Sequence, residues 1–285
     1  MRTKEQTERI VRPSAIAGSW YPGTERGLRQ MLEGFFARVP EQRLQGRLLG
    51  LIAPHAGYIY SGQTAAYSYK LLEGRRYDIV VIMSPNHRAF WGADIVVSTA
   101  THYETPLGLV ALDKAFIERL AERVELSGVQ RDDEHSLEIQ LPFLQYILGD
   151  FRLVPLMLNT DRPAVARQLG GLLAELIAAS EAGVLLVAST DLHHIPNYEE
   201  VVRRDRAVAE ALISYDMARI EKVLTEPGCS VCGRMPVIAL LEAARALGAD
   251  RVQVLHQTTS GDVTGDRRPG QYTVGYLAAA VVASV

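Results

Sequence analysis

The feature that most constrains the fold is a regular alternation of short apolar runs with segments that have the 3.6-residue period of a helix. The apolar runs are typical of buried strands. The alternation predicts an α/β fold in which helices cover both faces of a central sheet. The predicted strands are residues 48–53, 79–83, 95–98, 153–158, 184–188, 252–257 and 273–280, and the predicted helices are residues 63–72, 114–122, 136–148, 164–179, 199–214, 217–224 and 236–246.

One segment departs from this simple alternation. THYETPLGLVALD, residues 101–113, alternates polar and apolar residues and turns at Pro106 and Gly108. This pattern predicts an antiparallel excursion of the chain. We therefore expect a mixed central sheet.

The chain is expected to form one domain behind a short tail. Residues 1–12 are polar, charged and unpatterned, which predicts a disordered amino-terminal tail. No linker rich in Pro, Gly or Ser and no internal repeat divides the rest of the 285 residues. We therefore expect a single α/β domain over residues 13–285.

Composition excludes several classes of protein. Hydrophobic residues make up 48% of the chain and charged residues 22%, as in ordinary globular proteins. The formal net charge of −3 lacks the basic excess needed to neutralise nucleic-acid phosphates. No apolar run approaches the roughly 18 residues of a membrane span, and the amino terminus has no signal-peptide core. We expect a cytoplasmic protein that binds neither nucleic acid nor membrane.

Histidines follow three of the predicted strands. His55 comes directly after Pro54 and His87 two residues after Pro85, each proline ending a strand, and the run GVLLVAST leads to Asp191, His193 and His194. The carboxyl ends of strands in an α/β sheet are where loops converge into sites. Because imidazole binds zinc, iron and copper, the pattern favours a metal site at His55 and His87. A lone histidine is more often an ordinary core or surface residue, and we assign that role to the histidines at positions 102 and 256.

Two further segments carry reactive side chains. DDEHSLEIQLPFL places acidic residues where a helix begins, which the helix dipole alone explains, and it adds His135 as a candidate neutral hydrogen-bonding group. GCSVCGRMP contains both cysteines, Cys229 and Cys232, and is too short a pattern to distinguish a metal site from a redox pair. Cys232 lies near a predicted helix amino terminus, which favours thiolate. Cys229 is expected to be buried and inert.

Six ordered motifs resemble the Memo family of proteins: AGSWYP, APHAGYIYSG, SPNH, DDEHSLEIQLPFL, STDLHH and CGRMP. The family is similar in fold to the LigB-type class III extradiol dioxygenases, which are non-haem iron enzymes that cleave catechol rings. The resemblance implies a metal site formed by His55, His87 and Cys232. It also implies that His194 is the acid/base and that Asp191 orients a histidine or lines the pocket.

The remaining implications concern the pocket and the metal. The resemblance implies that Trp20 and Tyr21 form one wall, with His193 as a neighbour of the acid/base. The dioxygenases have a glutamate where this chain has Cys232. The resemblance makes iron(II) the first expectation, and because thiolate is softer than carboxylate, copper or zinc are alternatives. Prokaryotic relatives are associated with a radical SAM protein and an AMMECR-domain protein, which the resemblance suggests as partners.

Three functions are consistent with these residues. The first is a metal-dependent oxidoreductase acting on a small molecule. The second is a non-catalytic module that binds a peptide or partner in a dioxygenase-like cleft. The third is thiol hydrolysis or transfer with Cys232 as nucleophile and His55 or His194 as base.

Overall fold

The computed structural model describes residues 9–88 and 93–284. Strands and helices alternate along most of this chain. The strands are β1 (Val11–Arg12), β2 (Arg47–Ala53), β3 (Ile79–Pro85), β4 (Ile95–Ser98), β5 (His102–Thr105), β6 (Gly108–Ala111), β7 (Ser127–Val129), β8 (Arg152–Leu158), β9 (Val184–Ser189), β10 (His194–Ile195), β11 (Arg251–Thr259) and β12 (Thr273–Ala283). The helices are α1 (Glu25–Ala37), α2 (Gln63–Lys70), α3 (Lys114–Ala121), α4 (His135–Glu138), α5 (Leu141–Leu148), α6 (Pro163–Ala178), α7 (Tyr198–Ser214), α8 (Met217–Thr225), α9 (Arg234–Ala246) and α10 (Ser260–Thr264), with a π-helical turn at Tyr58–Gly62 before α2.

A nine-stranded sheet with the order β10-β12-β2-β9-β3-β8-β4-β7 forms the centre of the molecule, and β11 pairs with β12. The strands β2, β9, β3 and β8 are parallel to one another, whereas β12 runs antiparallel to β2 and β4 antiparallel to β8. Every residue of β3 is buried, as is expected of a strand covered on both faces. The predicted mixed α/β fold is confirmed.

The antiparallel excursion lies elsewhere than predicted. β5 and β6 pair with each other, and β5 also pairs with β1, so that these strands form a separate three-stranded sheet. The prediction that this segment makes the central sheet mixed is therefore wrong. The sheet is mixed because β4 and the long carboxyl-terminal strand β12 are reversed, and neither reversal leaves a local signal in the sequence.

The predicted tail extends too far along the chain. Residues 1–8 lie outside the described residues, but β1 is a strand and Arg12 is 3% exposed. Its guanidinium forms ion pairs with Glu138 and Asp132, and it donates a hydrogen bond to the Glu134 carbonyl oxygen at 2.8 Å. The boundary at residue 12 is wrong, because a buried charge with these partners fixes the chain there.

The helix predicted at residues 136–148 is broken into α4 and α5. Pro142 lies in the first turn of α5 and has no amide hydrogen, so it is compatible with a new helix start but not with a continuous helix. Gln140 lies at the break, and its Nε2 donates to the Pro54 carbonyl oxygen at 3.0 Å and to Ser189 Oγ at 2.8 Å. The break therefore directs a polar side chain toward the ends of β2 and β9.

The sheet order determines which strand ends meet. β9 lies between β2 and β3, so the two strands that precede His55 and His87 are not adjacent, but all three end at the same edge. Within residues 9–88 and 93–284, no helix combines the length and apolar character that a bilayer crossing requires. The single domain and the cytoplasmic location stay predictions.

Candidate metal centre and cleft

A cleft of about 660 Å³ opens at the carboxyl edge of the central sheet. This volume suits a small molecule. Its wall combines aromatic rings with titratable groups, and no lysine or arginine occurs among the described residues that line it. The aromatic residues are Trp20, Tyr60, Tyr272 and Tyr276, and the titratable ones of interest are His55, His87, His135, Asp191, His194 and Asp266.

Three metal-binding side chains meet at this edge. One ligand atom each from His55, His87 and Cys232 lies within 4.8 Å of the others, and His55 Nε2 is 3.0 Å from Cys232 Sγ. The His55 and His87 rings are edge to face with centroids 5.2 Å apart. Donor atoms about 2.0–2.3 Å from one ion would have similar separations. The predicted ligand set is therefore brought together.

The hydrogen bonds around Ser189 fix the tautomer of His55. Ser189 Oγ donates its only proton to the Ser136 carbonyl oxygen at 2.6 Å and accepts one from Gln140. It can therefore only accept from His55 Nδ1, which is 3.0 Å away. Nδ1 thus carries the proton, and Nε2 presents a lone pair toward Cys232. Burial lowers the pKa of His55 well below its ordinary value, which keeps the ring neutral.

Glu134 fixes the tautomer of His87 in the same way. This carboxylate is fully buried and accepts hydrogen bonds from the His87 amide and from His87 Nδ1, the latter at 3.1 Å. Burial by itself would raise the pKa of Glu134, but the hydrogen bonds from His87 and the electrostatic interactions with the His135 and His87 rings lower it to about 2. Because a carboxylate only accepts, His87 Nδ1 is protonated and Nε2 is left to bind.

His135 lies between the metal-binding set and the aromatic wall. Its ring centroid is 4.3 Å from that of Trp20 and 4.8 Å from that of His87. Burial is the main reason that the pKa of His135 falls to about 4. A neutral ring facing the cleft agrees with the sequence prediction. His87, Glu134 and His135 also form a second group of atoms close enough to hold a metal ion.

Cys232 is held by the backbone of the neighbouring strand exit. Its Sγ accepts a hydrogen bond from the Asp191 amide at 3.2 Å, and α9 begins two residues later. Burial and the Asp191 carboxylate raise the pKa of the Cys232 thiol, so the prediction that the helix terminus favours thiolate is wrong. Burial outweighs the helix dipole at this position. A bound cation is what would convert such a thiol to thiolate.

Asp191 and His194 line the cleft as predicted. Asp191 Oδ1 accepts from the amide of His55 at 2.7 Å, and burial raises the pKa of this carboxyl group to about 6. The His194 amide donates to Ser230 Oγ at 2.9 Å, and His194 Nδ1 is 3.1 Å from the Ser230 carbonyl oxygen. Since a carbonyl only accepts, Nδ1 carries the proton and Nε2 is free to accept one.

Two residues predicted for the pocket do not belong to it. Tyr21 is 3% exposed, and its hydroxyl donates to Glu138 at 2.6 Å behind the wall. His193 is 1% exposed and bonds to Asp205 at 2.8 Å. Neither is among the described lining residues, so both placements are wrong. Trp20 does line the cleft.

Sequence reasoning also missed residues that hold the ligands. Ser189 lies in the motif STDLHH, and Glu134 and Gln140 both lie in DDEHSLEIQLPFL. Nothing in the sequence around these residues indicates that they support a distant histidine. The helix-start explanation for Glu134 is correct as well, since it accepts from the Ser136 amide at 2.9 Å. Asp266 and Tyr272 also line the cleft, and no sequence motif pointed to the segment that contains them.

The fold and the cleft define a class: a mixed α/β protein with a two-histidine, one-cysteine donor set at the carboxyl edge of its sheet. The chain belongs to the Memo family, because residues 12–280 match the family described as Memo-like protein. This confirms the resemblance found in the sequence motifs.

Curated relatives extend over nearly the whole chain. The MEMO1 family protein of Methanosarcina barkeri is 36% identical over 274 residues, covering 94% of this chain and 98% of its own. That of Thermotoga maritima is 36% identical over 288 residues, covering 95% and 99%. Nitrosopumilus maritimus has a relative that is 33% identical over 265 residues, covering 90% and 95%.

One solved structure supports the fold alone. An uncharacterized protein from Escherichia coli K12 superposes with a TM-score of 0.55 at 15% identity, and the match covers 82% of this chain and 100% of that chain. The names of these relatives give no reaction. Function has to be argued from the cleft.

Proposed function

We propose that this protein is a metal-dependent oxidoreductase whose redox-active metal is held by His55, His87 and Cys232. The observation that carries the proposal is the shared tautomer of the two histidines. Ser189 and Glu134 keep both Nδ1 atoms protonated, so both Nε2 atoms carry a lone pair, and one ligand atom each from His55, His87 and Cys232 lies within 4.8 Å of the others. Metal-binding histidines characteristically donate their other N–H in this way.

The donor set restricts the metal. Two imidazoles and one thiolate are acceptable to iron(II), copper and zinc, and much less so to magnesium or calcium, which prefer oxygen. Iron(II) is the first choice, with copper or zinc as alternatives. Bound iron or copper would supply the one-electron and oxygen chemistry that protein side chains lack.

The protein side chains would position the substrate and move protons. His194, with Nδ1 protonated and Nε2 free, is suited to accept a proton from a substrate. Asp191 has a pKa raised to about 6 by burial, which is a useful range for proton exchange. His135 would stay neutral against Trp20 and donate or accept one hydrogen bond.

The wall indicates what kind of small molecule enters. Four aromatic rings offer apolar contact area, and two carboxyl groups are present without a lining lysine or arginine among the described residues. Such a surface favours an uncharged or cationic ligand with a planar apolar part and disfavours phosphate esters.

The test is oxygen consumption by iron-loaded protein with a panel of catechols and thiols. The proposal predicts turnover with at least one substrate, a roughly 100-fold or greater loss in His194→Gln, and retained metal in that variant. His256→Gln is the matched control, because His256 contacts Tyr67 and Thr64 outside the described cleft wall. Equal rates in His194→Gln and wild type would contradict the proton-transfer role.

A non-catalytic binding module is the second proposal. Ile59, Tyr60 and Tyr272 line the cleft and are 68%, 41% and 57% exposed, which is more apolar surface than a buried substrate needs. A module of this kind predicts that Tyr272→Ala abolishes partner binding while His194→Gln leaves it intact. Association with a radical SAM protein and an AMMECR-domain protein stays a proposal, to be tested with the purified proteins.

Thiol hydrolysis or transfer at Cys232 is the third proposal. The 3.0 Å contact between His55 Nε2 and Cys232 Sγ also suits a cysteine–histidine nucleophile pair. The rate at which an alkylating agent labels Cys232 distinguishes a metal ligand from a nucleophile. Protection by iron or zinc would support ligation, and labelling at the same rate with and without metal would support the nucleophile.

A further inference from the structure

A second cavity lies at the amino edge of the central sheet, opposite the cleft. Its volume is about 430 Å³, which is enough for a small molecule. The lining comes from the first residues of β2 and β9, from the loops before β3 and β9, and from the carboxyl ends of α6 and α9. No residue lines both this cavity and the cleft among those that the structure describes, so the two are separate.

Three arginines line the amino-edge cavity: Arg47, Arg75 and Arg76. The described lining contains no aspartate, glutamate or lysine. Across residues 9–88 and 93–284, none of the three arginines forms an ion pair with a carboxylate. The chain as a whole has a net charge of −3, so this local excess of positive charge is not a general property of the protein.

Two of the arginines also cap helices. Arg47 Nη2 donates to the Leu247 carbonyl oxygen at the end of α9 at 2.9 Å, and Arg75 Nε donates to the Leu71 carbonyl oxygen at the end of α2 at 2.8 Å. Cations are expected at helix carboxyl ends. Capping uses one of the five N–H groups of each guanidinium and does not involve Arg76, so most of the donors remain for a ligand.

The carboxylates that neighbour these loops in sequence do not neutralise the arginines. Glu73 pairs with Lys70 at 2.8 Å. Asp78 Oδ2 accepts a hydrogen bond from the Gly183 amide at 2.7 Å, which joins the loops before β3 and β9. Neither Asp78 nor Glu181 is among the described residues that line the cavity.

The inner part of the cavity is apolar. Leu48, Leu49 and Leu186 are buried there, whereas the three arginines are exposed, so the charged groups lie at the mouth. Tyr77 is half-buried beside them. Burial raises the pKa of Tyr77, so its hydroxyl stays protonated and can donate a hydrogen bond. A cationic mouth above an apolar floor suits an organic anion.

We propose that the amino-edge cavity binds a small phosphorylated molecule, with its phosphate groups on Arg47, Arg75 and Arg76 and its organic part on the leucine floor. A guanidinium is always charged, and its planar fork donates two parallel hydrogen bonds to a phosphate. Three such groups match a ligand with two or more negative charges. The cleft has no lining lysine or arginine among its described residues, so the two cavities take ligands of opposite charge preference.

The first experiment measures binding to the full-length wild-type protein by isothermal titration calorimetry. The probes are ADP, pyrophosphate and adenosine. We expect saturable binding of ADP and pyrophosphate with a Kd below about 1 mM that weakens as salt is added, and much weaker binding of adenosine. Adenosine binding as tight as that of ADP would overturn the proposal, and so would a protein that binds neither phosphate probe below this limit.

The second experiment locates the site with variants. Arg76→Gln should weaken ADP binding by about tenfold, and Arg47→Gln combined with Arg76→Gln by about 100-fold, because each removes a charge-assisted contact to phosphate. Arg219→Gln is the control and should bind as wild type, since Arg219 is 49% exposed on α8 and pairs with Glu210. Unchanged ADP affinity in the folded double variant would overturn the proposal, because the anion would then bind elsewhere, for example at the metal centre.

Discussion

At the scale of single residues, the site depends on which nitrogen of each histidine carries the proton. Ser189 and Glu134 set this for His55 and His87, and neither is among the described residues that line the cleft. The sequence motifs located the histidines and Cys232, but these supporting residues come from strand and helix ends far away in the chain. Only the folded structure brings them within hydrogen-bond distance.

Glu134→Gln is expected to weaken metal binding by about 10–100-fold, because an amide side chain can place an N–H where the His87 Nδ1 proton needs an acceptor. Competition with a coloured chelator measures the affinity. The control is Asp133→Asn, since that neighbouring side chain is 54% exposed and pairs with Arg131. The same affinity in Glu134→Gln as in wild type would contradict the role of Glu134.

His193 should make stability depend on pH. Its folded pKa of about 9 lies above the ordinary 6.5, so protonation stabilises the folded state. The stabilisation should be complete below pH 6.5 and be lost as the pH rises through 9. The free-energy difference between wild type and His193→Gln, measured by urea unfolding between about pH 6 and 10, should shrink accordingly.

The groups that act on the charge of His193 are Asp205 and Cys229, and His194 acts in turn on Asp205. The same urea unfolding series on Glu210→Gln is the control, since it shows whether the pH dependence of the unfolding free energy is specific to His193. A difference between wild type and His193→Gln that stays constant with pH would contradict the ion pair.

At the scale of elements, hydrophobic periodicity predicted most strands and helices to within a few residues. The failures have physical causes. The helix predicted over residues 136–148 breaks at Gln140, because Pro142 has no amide hydrogen and fits only in the first turn of a new helix. α1 was not predicted, although Thr24 caps it and Leu28, Leu32 and Phe35 form its buried face. The reversed strands were not predictable, because pairing partners lie far apart in sequence.

Gly233 follows Cys232 directly and is the residue before the first turn of α9. A methyl group there would overlap Thr190 and the Ser189 carbonyl oxygen. We expect Gly233→Ala to lower the free energy of unfolding by about 1–3 kcal/mol and to weaken metal binding, because the start of α9 must move. Gly171→Ala on α6 is the control: nothing lies within 4 Å of its added methyl, so it should be neutral or stabilising.

Urea unfolding and metal titration of the two glycine variants make the comparison. A Gly233→Ala protein as stable as Gly171→Ala, with undiminished metal affinity, would contradict the close packing of this turn.

At the scale of the whole molecule, the amino-terminal segment is part of the structure that supports the cleft. Arg12 joins β1 to Glu138 at the end of α4, and Glu138 also accepts from Tyr21 and from the Ala15 amide at 2.9 Å. Charge patterning in the sequence indicated a loose tail here. A buried ion-pair network can only be recognised once its distant carboxylates are located.

Arg12→Met should destabilise the protein by about 3 kcal/mol or more, because it leaves the Glu138 carboxylate buried without its cation. Urea unfolding provides the measurement. Arg9→Met is the matched control, since Arg9 is exposed. An equal loss of unfolding free energy in the two variants would show that the ion pairs of Arg12 do not stabilise the folded chain.

The most direct test of the metal site is metal content, measured by mass spectrometry on untagged protein purified without oxygen. We predict close to one iron or copper per chain in wild type, lost in both His55→Ala and Cys232→Ser, and retained in His256→Gln. A wild-type protein that is free of metal and cannot be loaded with iron, copper or zinc would contradict the proposed metal centre.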